Sequence, residues 1–290
     1  VADTALVGAA VNTPLPARST REAPSATTFG LRTVALLYVT VLVLVPVAVL
    51  VYRALAPGLG AFFNALGDPV AQHAFQVTAV VAGSAVVIDT VFGIAVAILL
   101  ARYRFPGRRL LSAFIDLPIA VSPIVVGLAL FLVYSPTGWF GPFEESHGMA
   151  VIDAKPGMIL ATVFVSLPLV ARAVVPVLEQ AGLDQDQAAA SLGANAFTRF
   201  RRITLPAIRV ALAYGIVLAL ARCIGEYGAV LVISGNISGQ TQTAPLLIGD
   251  DFQTNFAPDA AYAISLVLVL IALAAICAGA YIRRRQKRGS

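Results

Sequence analysis

Charge is scarce in this sequence. Of its 290 residues, 12% are Asp, Glu, Lys or Arg, about half of the ~25% that a soluble domain carries. A soluble core needs a polar outer face, so this scarcity excludes a water-soluble globular protein. Cysteine is scarce as well. Cys223 and Cys277 both lie in long apolar stretches, which excludes a disulfide framework and leaves them as small apolar packing residues. The two histidines, His73 and His147, lack the His-Glu-x-x-His spacing of a zinc site. There is no Gly-x-x-x-x-Gly-Lys-Ser/Thr loop, so nothing here cradles the phosphates of ATP. No Ser/His/Asp or metal-ligating set gathers at one membrane depth, which argues against an intramembrane hydrolase.

What the sequence has in abundance is apolar side chains, at 59% of the chain, with a mean hydropathy of +0.86. A helix crosses a bilayer with roughly 20 consecutive apolar residues. Six stretches reach that length, at about residues 31–54, 75–101, 110–134, 157–178, 206–233 and 260–282. The expected fold is therefore an all-α integral membrane protein of six spans, over residues 31–285. Seventeen of the twenty Lys and Arg fall in the tails and alternate loops, against Arg53 and Lys155 opposite and Arg222 inside a span. Basic loops stay in the cytoplasm, which predicts both termini cytoplasmic. The net charge of +5 is then a topology signal and does not indicate nucleic-acid binding. Residues 1–30, rich in Ala, Thr, Pro and Ser, lack the charged start and apolar core of a signal peptide and read as a disordered cytoplasmic tail. The chain opens on Val1, so its true start is left open. Residues 286–290 form a short basic tail.

The connection between the fourth and fifth spans, residues 179–205, is too long to be structureless without a purpose. Asp184 and Gln187 have capping-box spacing. Ala188, Ala189 and their neighbours favour helix, and Gly193 suits its left-handed end. A second turn carries Phe197 and Phe200 before Leu205 and Pro206 open the fifth span. A helix tip of small side chains flanked by aromatics can dock into a partner's groove. The same pattern also fits an amphipathic helix whose Arg199, Arg201 and Arg202 meet lipid phosphates.

The run Gln187-Ala188-Ala189 with Gly193, continuing to Leu205-Pro206, resembles the coupling motif of ABC-importer permeases, departing where Gln187 replaces the usual Glu. Residues 104–128, with Asp116, Pro118, Ser122, Pro123 and Gly127, and the stretch Arg222 to Thr241 are similar to sulfate-type permeases. Ser122-Pro123 favours the W-type over the T-type subunit of the sulfate/thiosulfate importer, with molybdate and tungstate permeases as the rival. The resemblance implies a permease in a bacterial cell membrane whose residues 179–205 dock on a separate ATPase. The implied partners are a homologous T-type permease, two ATPase subunits and an extracytoplasmic sulfate-binding protein. ATP and Mg would be bound by the ATPase subunits and no cofactor by this chain. The binding protein would meet the outer loops at about residues 135–156 and 234–259.

Charges inside the membrane cost roughly 2.5–3.5 kcal/mol each on insertion scales, so they face protein or a watery cavity. Arg222 and Glu226 are four apart and can pair, about 24 Å along the helix from Pro206. The pair, with Tyr227, reads either as part of an outer gate or as a structural ion pair, and Asp116, Ser122 and Pro123 are the other candidates for the translocation path. Asp116 is expected to pair with Arg108, Arg109 or an arginine of the docking loop. Asp89, in mid-span, is expected to be neutral or paired with a basic group. Pro118 and Pro123 should kink the third span, for a pore or for packing alone. A stand-alone secondary transporter or channel is the different class to weigh. It would carry an inverted repeat with discontinuous helices, and no repeat is visible.

Overall fold

The computed structural model describes the backbone of residues 26–288 and side chains from 30 to 282. Most of the tail expected over residues 1–30, and residues 289–290, lie outside the described residues. Contacts divide the chain into two units, residues 1–49 and 50–290. In the first unit runs most of α1 (Ala26–Leu55), apolar all round as a span in lipid must be.

In the second unit α2 (Leu59–Gly67) leads into α3 (Pro69–Arg102). Asp68 caps α3 by accepting from the Val70 N–H at 2.7 Å, and Pro69 takes the first helical position, where its missing N–H costs nothing. Then follow α4 (Arg108–Ala120), α5 (Pro123–Tyr134), α6 (Gly141–His147) and α7 (Lys155–Ala181). The chain continues through α8 (Asp184–Ser191), α9 (Ala196–Arg199), a π-helical turn (Phe200–Thr204), α10 (Leu205–Ile224) and α11 (Gly228–Ile233). It ends with α12 (Ala244–Gln253) and α13 (Pro258–Arg288). Among the described residues every regular element is helical, as composition predicts.

Helix α7 packs against both α3 and α10, and α13 packs on α10. With lipid outside, burial of apolar surface separates these helices from lipid only weakly, and close packing of small residues holds them. A Cβ at Gly93 of α3 would sit 2.8 Å from Val170 of α7. One at Gly215 of α10 would meet Ala173 at 3.0 Å. Outward-facing Val87, Val91 and Phe92 of α3 remain exposed, as lipid contact requires.

Five helices are long and apolar enough to cross a membrane, and a sixth crossing is counted if α4 and α5 form one bent span. Here the structure corrects the expected third span. α4 and α5 meet at 110° instead of forming one kinked helix over 110–134. Pro118 does not cause the break, for α4 runs through it and the Val121 N–H still donates to the Leu117 carbonyl at 3.1 Å. The break lies before Pro123, whose ring drives Ser122 into extended backbone (φ −61, ψ 135). The fifth span is also interrupted, ending at Ile224 and resuming as α11 at Gly228. The loops at about residues 135–156 and 234–259 contain α6 and α12.

Candidate functional site

The segment after α7 folds as a protruding helical tip. α8 begins at Asp184 as its spacing predicts, but not by the expected capping box. Leu183 occupies the cap position and no side chain closes the first turn. The far end follows expectation. Gly193 adopts φ +84, its N–H donates to the Ala190 carbonyl at 2.9 Å, and the Ala194 N–H donates to the Ala189 carbonyl at 3.0 Å. These two bonds make a Schellman ending. Asn195 then caps α9 by accepting from the Thr198 N–H at 2.8 Å, a cap that the Asn-x-x-Thr spacing could have revealed. The Leu205 N–H bonds back to Phe200, the π-type register. That wider turn sits where Pro206 cannot supply the donor of an ordinary helix.

Of the residues singled out in this segment, Gln187 and Ala188 are exposed and Ala189 half-buried. Phe197 is 70% exposed, and the neighbouring Leu192, not singled out, is 89% exposed. Phe200 instead lines a cavity of about 280 Å³ with Arg102, Tyr103, Asp186 and Arg199. Asp186 is the residue that sequence reasoning missed. Its carboxylate lies 3.2 Å from Arg102 Nη1 at the end of α3 and 3.1 Å from Arg199 Nη1 in α9. It therefore ties the tip to a membrane helix. No local signal marks it, since Arg102 is far away along the chain.

The second candidate region lies at the two helix breaks. Glu226 is 3% exposed, and one of its oxygens is 2.5 Å from Arg222 Nη1. The other accepts from the Ala229 N–H at 2.9 Å, so the carboxylate both pairs and caps α11. Next to it, α5 packs on α11. A Cβ at Gly127 would come within 2.6 Å of the Ala229 carbonyl oxygen, and one at Gly228 within 3.2 Å of Pro123. The ring of Tyr227 lies over Gly249 of α12. The structure thus brings Pro123 against Gly228, just after Glu226 and Tyr227 in the chain, with Ser122 exposed at the break. Asp116 does not join them. Its partner is Arg172 of α7, through Nε at 2.7 Å and through Nη2, not the arginines expected. Arg108 pairs with Glu179 at 3.0 Å. Asp89 is fully buried and receives the Ser166 hydroxyl of α7, which Cys223 of α10 approaches at 3.2 Å. Among the described residues no basic group pairs with Asp89, so of the two expectations the basic partner is set aside.

The loops around α6 and α12 are folded onto the helices. The Asp153 N–H donates to the Ile233 carbonyl at 2.9 Å, and Gly235 (φ +63) lies so near that a Cβ would be 2.4 Å from Asp153. Thr241, Gln242 and Thr243 are buried, and the Ala244 N–H donates to Thr78 of α3 at 2.8 Å. On α12, Asp250 accepts from Asn236 at 2.8 Å and from Gln242 at 2.6 Å. Beside it, burial pushes the Asp251 carboxyl up; the hydrogen bond from Asn255 opposes this, and the charges of Asp250 and Asp68 add to it. A carboxyl raised on folding holds its proton longer in the folded state. It therefore costs no stability below the ordinary carboxylate range, and its penalty grows as pH rises through the raised value. Asp251→Asn is expected to raise the thermal midpoint of the purified chain by about 2 °C near pH 8, with the gain fading toward pH 4. An equal gain at both pH values would rule out the charge as its cause.

Comparison with known proteins places this geometry in context. A model of the binding-protein-dependent transport system inner membrane component family matches residues 90–288. The chain is 42% identical over 270 residues to the sulfate transport system permease protein CysW of Synechococcus elongatus, covering 93% of this chain and 94% of that one. It is 38% identical to the CysT permease of the same organism, covering 73% and 76%. Among solved structures, a bacterial ABC transporter involved in the import of alginate superposes with a TM-score of 0.74 at 15% identity, over 89% of this chain and 95% of that one.

Proposed function

The chain belongs to the binding-protein-dependent transport system inner membrane component family, and from that premise we propose that it is the permease subunit of an ATP-driven sulfate importer. The observation that carries this reading is the 42% identity to a sulfate permease across nearly the whole of both chains. The sulfate reading is favoured over molybdate because the named relatives are sulfate permeases.

In the working complex the chain forms half of the translocation path beside a homologous permease. The tip at α8 and α9 docks on an ATPase subunit. The exposed Leu192 and Phe197 support that docking, as does the tie from Asp186 to Arg102, which gives the tip a mechanical link to α3. ATP binding draws the tips together and opens the path outward, and hydrolysis reverses it. The arginine-rich ends of the helices face the cytoplasm. The loops that meet at Asp153 and Gly235 face outward and receive the binding protein. The paired Arg222 and Glu226, at two breaks packed against each other, close the outer end of the path.

The test is uptake of labelled sulfate in cells lacking their own sulfate permeases, with the other transporter components expressed with and without this chain. Energy-dependent uptake that requires the chain, and that thiosulfate competes far better than molybdate, is the expected result. Molybdate accumulation with no chain-dependent sulfate uptake would move the substrate to the rival oxyanion.

A further inference from the structure

A cavity of about 690 Å³ opens where the turn between α3 and α4 faces α7, and Arg104, Arg108, Arg109, Ser112, Arg172 and Glu179 line it. Its charges do not cancel. Arg108 is committed to Glu179 at 3.0 Å. Arg172 is committed to Asp116 and donates to the Ser112 hydroxyl at 2.8 Å. Arg104 and Arg109 make no ion pair or hydrogen bond among the described residues, so two guanidinium charges are left over. Both residues are exposed, and a ligand can reach them. The first turn of α4 adds backbone donors at the same place, because its cap residue Gly107 (φ 92) offers no side chain to close it.

A surplus of basic residues at one end of the helices needs no ligand to explain it, being the ordinary signature of topology. Convergence is the added feature. Donors from the turn, from α4 and from α7 border one concave space, and Glu179, the one carboxylate on its wall, is already paired. Guanidinium groups pair with planar faces of carboxylate, phosphate and sulfate oxygens through two parallel hydrogen bonds. Two uncommitted guanidiniums match the charge of a sulfate dianion and more than balance that of a lipid phosphodiester. Basic pockets between membrane helices also receive anionic headgroups.

We propose that this cavity is a binding site for a tetrahedral oxyanion, whose two sources are a phosphate in an anionic lipid headgroup and the free sulfate ion. The site stands on the cavity's own charge and does not depend on which ion the transporter carries.

The test uses the full chain, purified with its transport partners, in two arms. In phosphatidylcholine nanodiscs, inorganic sulfate is titrated by equilibrium dialysis. In nanodiscs containing phosphatidylglycerol, retained lipid is counted by native mass spectrometry. R104Q/R109Q is expected to weaken binding about tenfold or more in at least one arm, the loss of charge-assisted hydrogen bonds being of that size. R53Q/R209Q, which removes the same charge from exposed positions outside the cavity and the tip, should leave both arms unchanged and controls for bulk charge. A loss confined to the sulfate arm identifies the free ion, and one confined to the lipid arm identifies a headgroup. Loss in both arms admits both sources. The proposal is overturned if the unaltered chain binds neither probe, if R104Q/R109Q binds both as before, or if R53Q/R209Q loses as much.

Discussion

Deleting residues 188–193 is expected to abolish sulfate uptake and co-purification of the ATPase while the chain still reaches the membrane. None of α8 is fully buried, and the deletion leaves Asp186 and its tie to Arg102 in place, so the loss should not unfold the packed helices. The deletion does remove the Schellman ending, and a gentler variant separates docking from local folding. L192S/F197S keeps every backbone bond of the tip and changes side chains that are 89% and 70% exposed. Exposed substitutions of this kind change stability by about 0.5 kcal/mol or less. A loss of ATPase association of about tenfold would then mark a contact made across the interface, where buried apolar anchors cost more than 1 kcal/mol each when truncated. Unchanged association in both variants would remove the docking role and revive the reading of a helix lying on lipid.

The second large effect is asymmetric. Arg222→Ala is expected to destabilise the chain more than Glu226→Ala. Removing the arginine leaves a carboxylate whose side chain is 2% exposed with no countercharge. Breaking a buried pair from one side costs about 3–5 kcal/mol, and the low end applies because the Arg222 side chain is 38% exposed. Removing the glutamate frees an arginine that is already partly solvated and forfeits the cap on Ala229, a loss of about 1 kcal/mol. The double variant R222A/E226A should recover part of the thermal midpoint lost in Arg222→Ala. If the pair also closes the outer end of the path, sulfate will leak without ATP in the double variant even as stability returns. Equal destabilisation by the two single variants would show that burial of Glu226 does not decide the effect. A recovered double variant with no leak would leave the pair a packing device.

The features legible in the sequence share one property: each is set by residues close together along the chain. The apolar runs are long enough to span lipid, and that length made an all-helical membrane fold readable before any contact was known. Gly193 after an alanine run marked the end of α8, because a left-handed residue with no Cβ closes a helix wherever it falls. The pairing of Arg222 with Glu226 was readable for the same reason, four residues apart on one turn. The mechanism of the α8 start was misread. Capping-box spacing permits a side-chain bond that the local backbone did not make, and the Asn195 cap of α9, two residues after Gly193, passed unnoticed.

Other features depend on how helices rotate and approach, and a sequence apolar on every face does not specify that rotation. In a soluble helix the apolar stripe would show which side faces the core; here lipid and core are alike, and close contacts between small residues choose the packing. The sequence by itself therefore determined the environment, the helical class, the candidate spans and the presence of a helical tip between the fourth and fifth of them. Tertiary structure decided that Asp116 meets Arg172, that Asp186 bridges Arg102 and Arg199, and that Ser166 reaches Asp89. It also decided that the third and fifth apolar runs break instead of continuing. Pro123 supplies the reason for a break at 121–122, but its 110° angle is set where α5 lies against α11, a contact between segments a hundred residues apart.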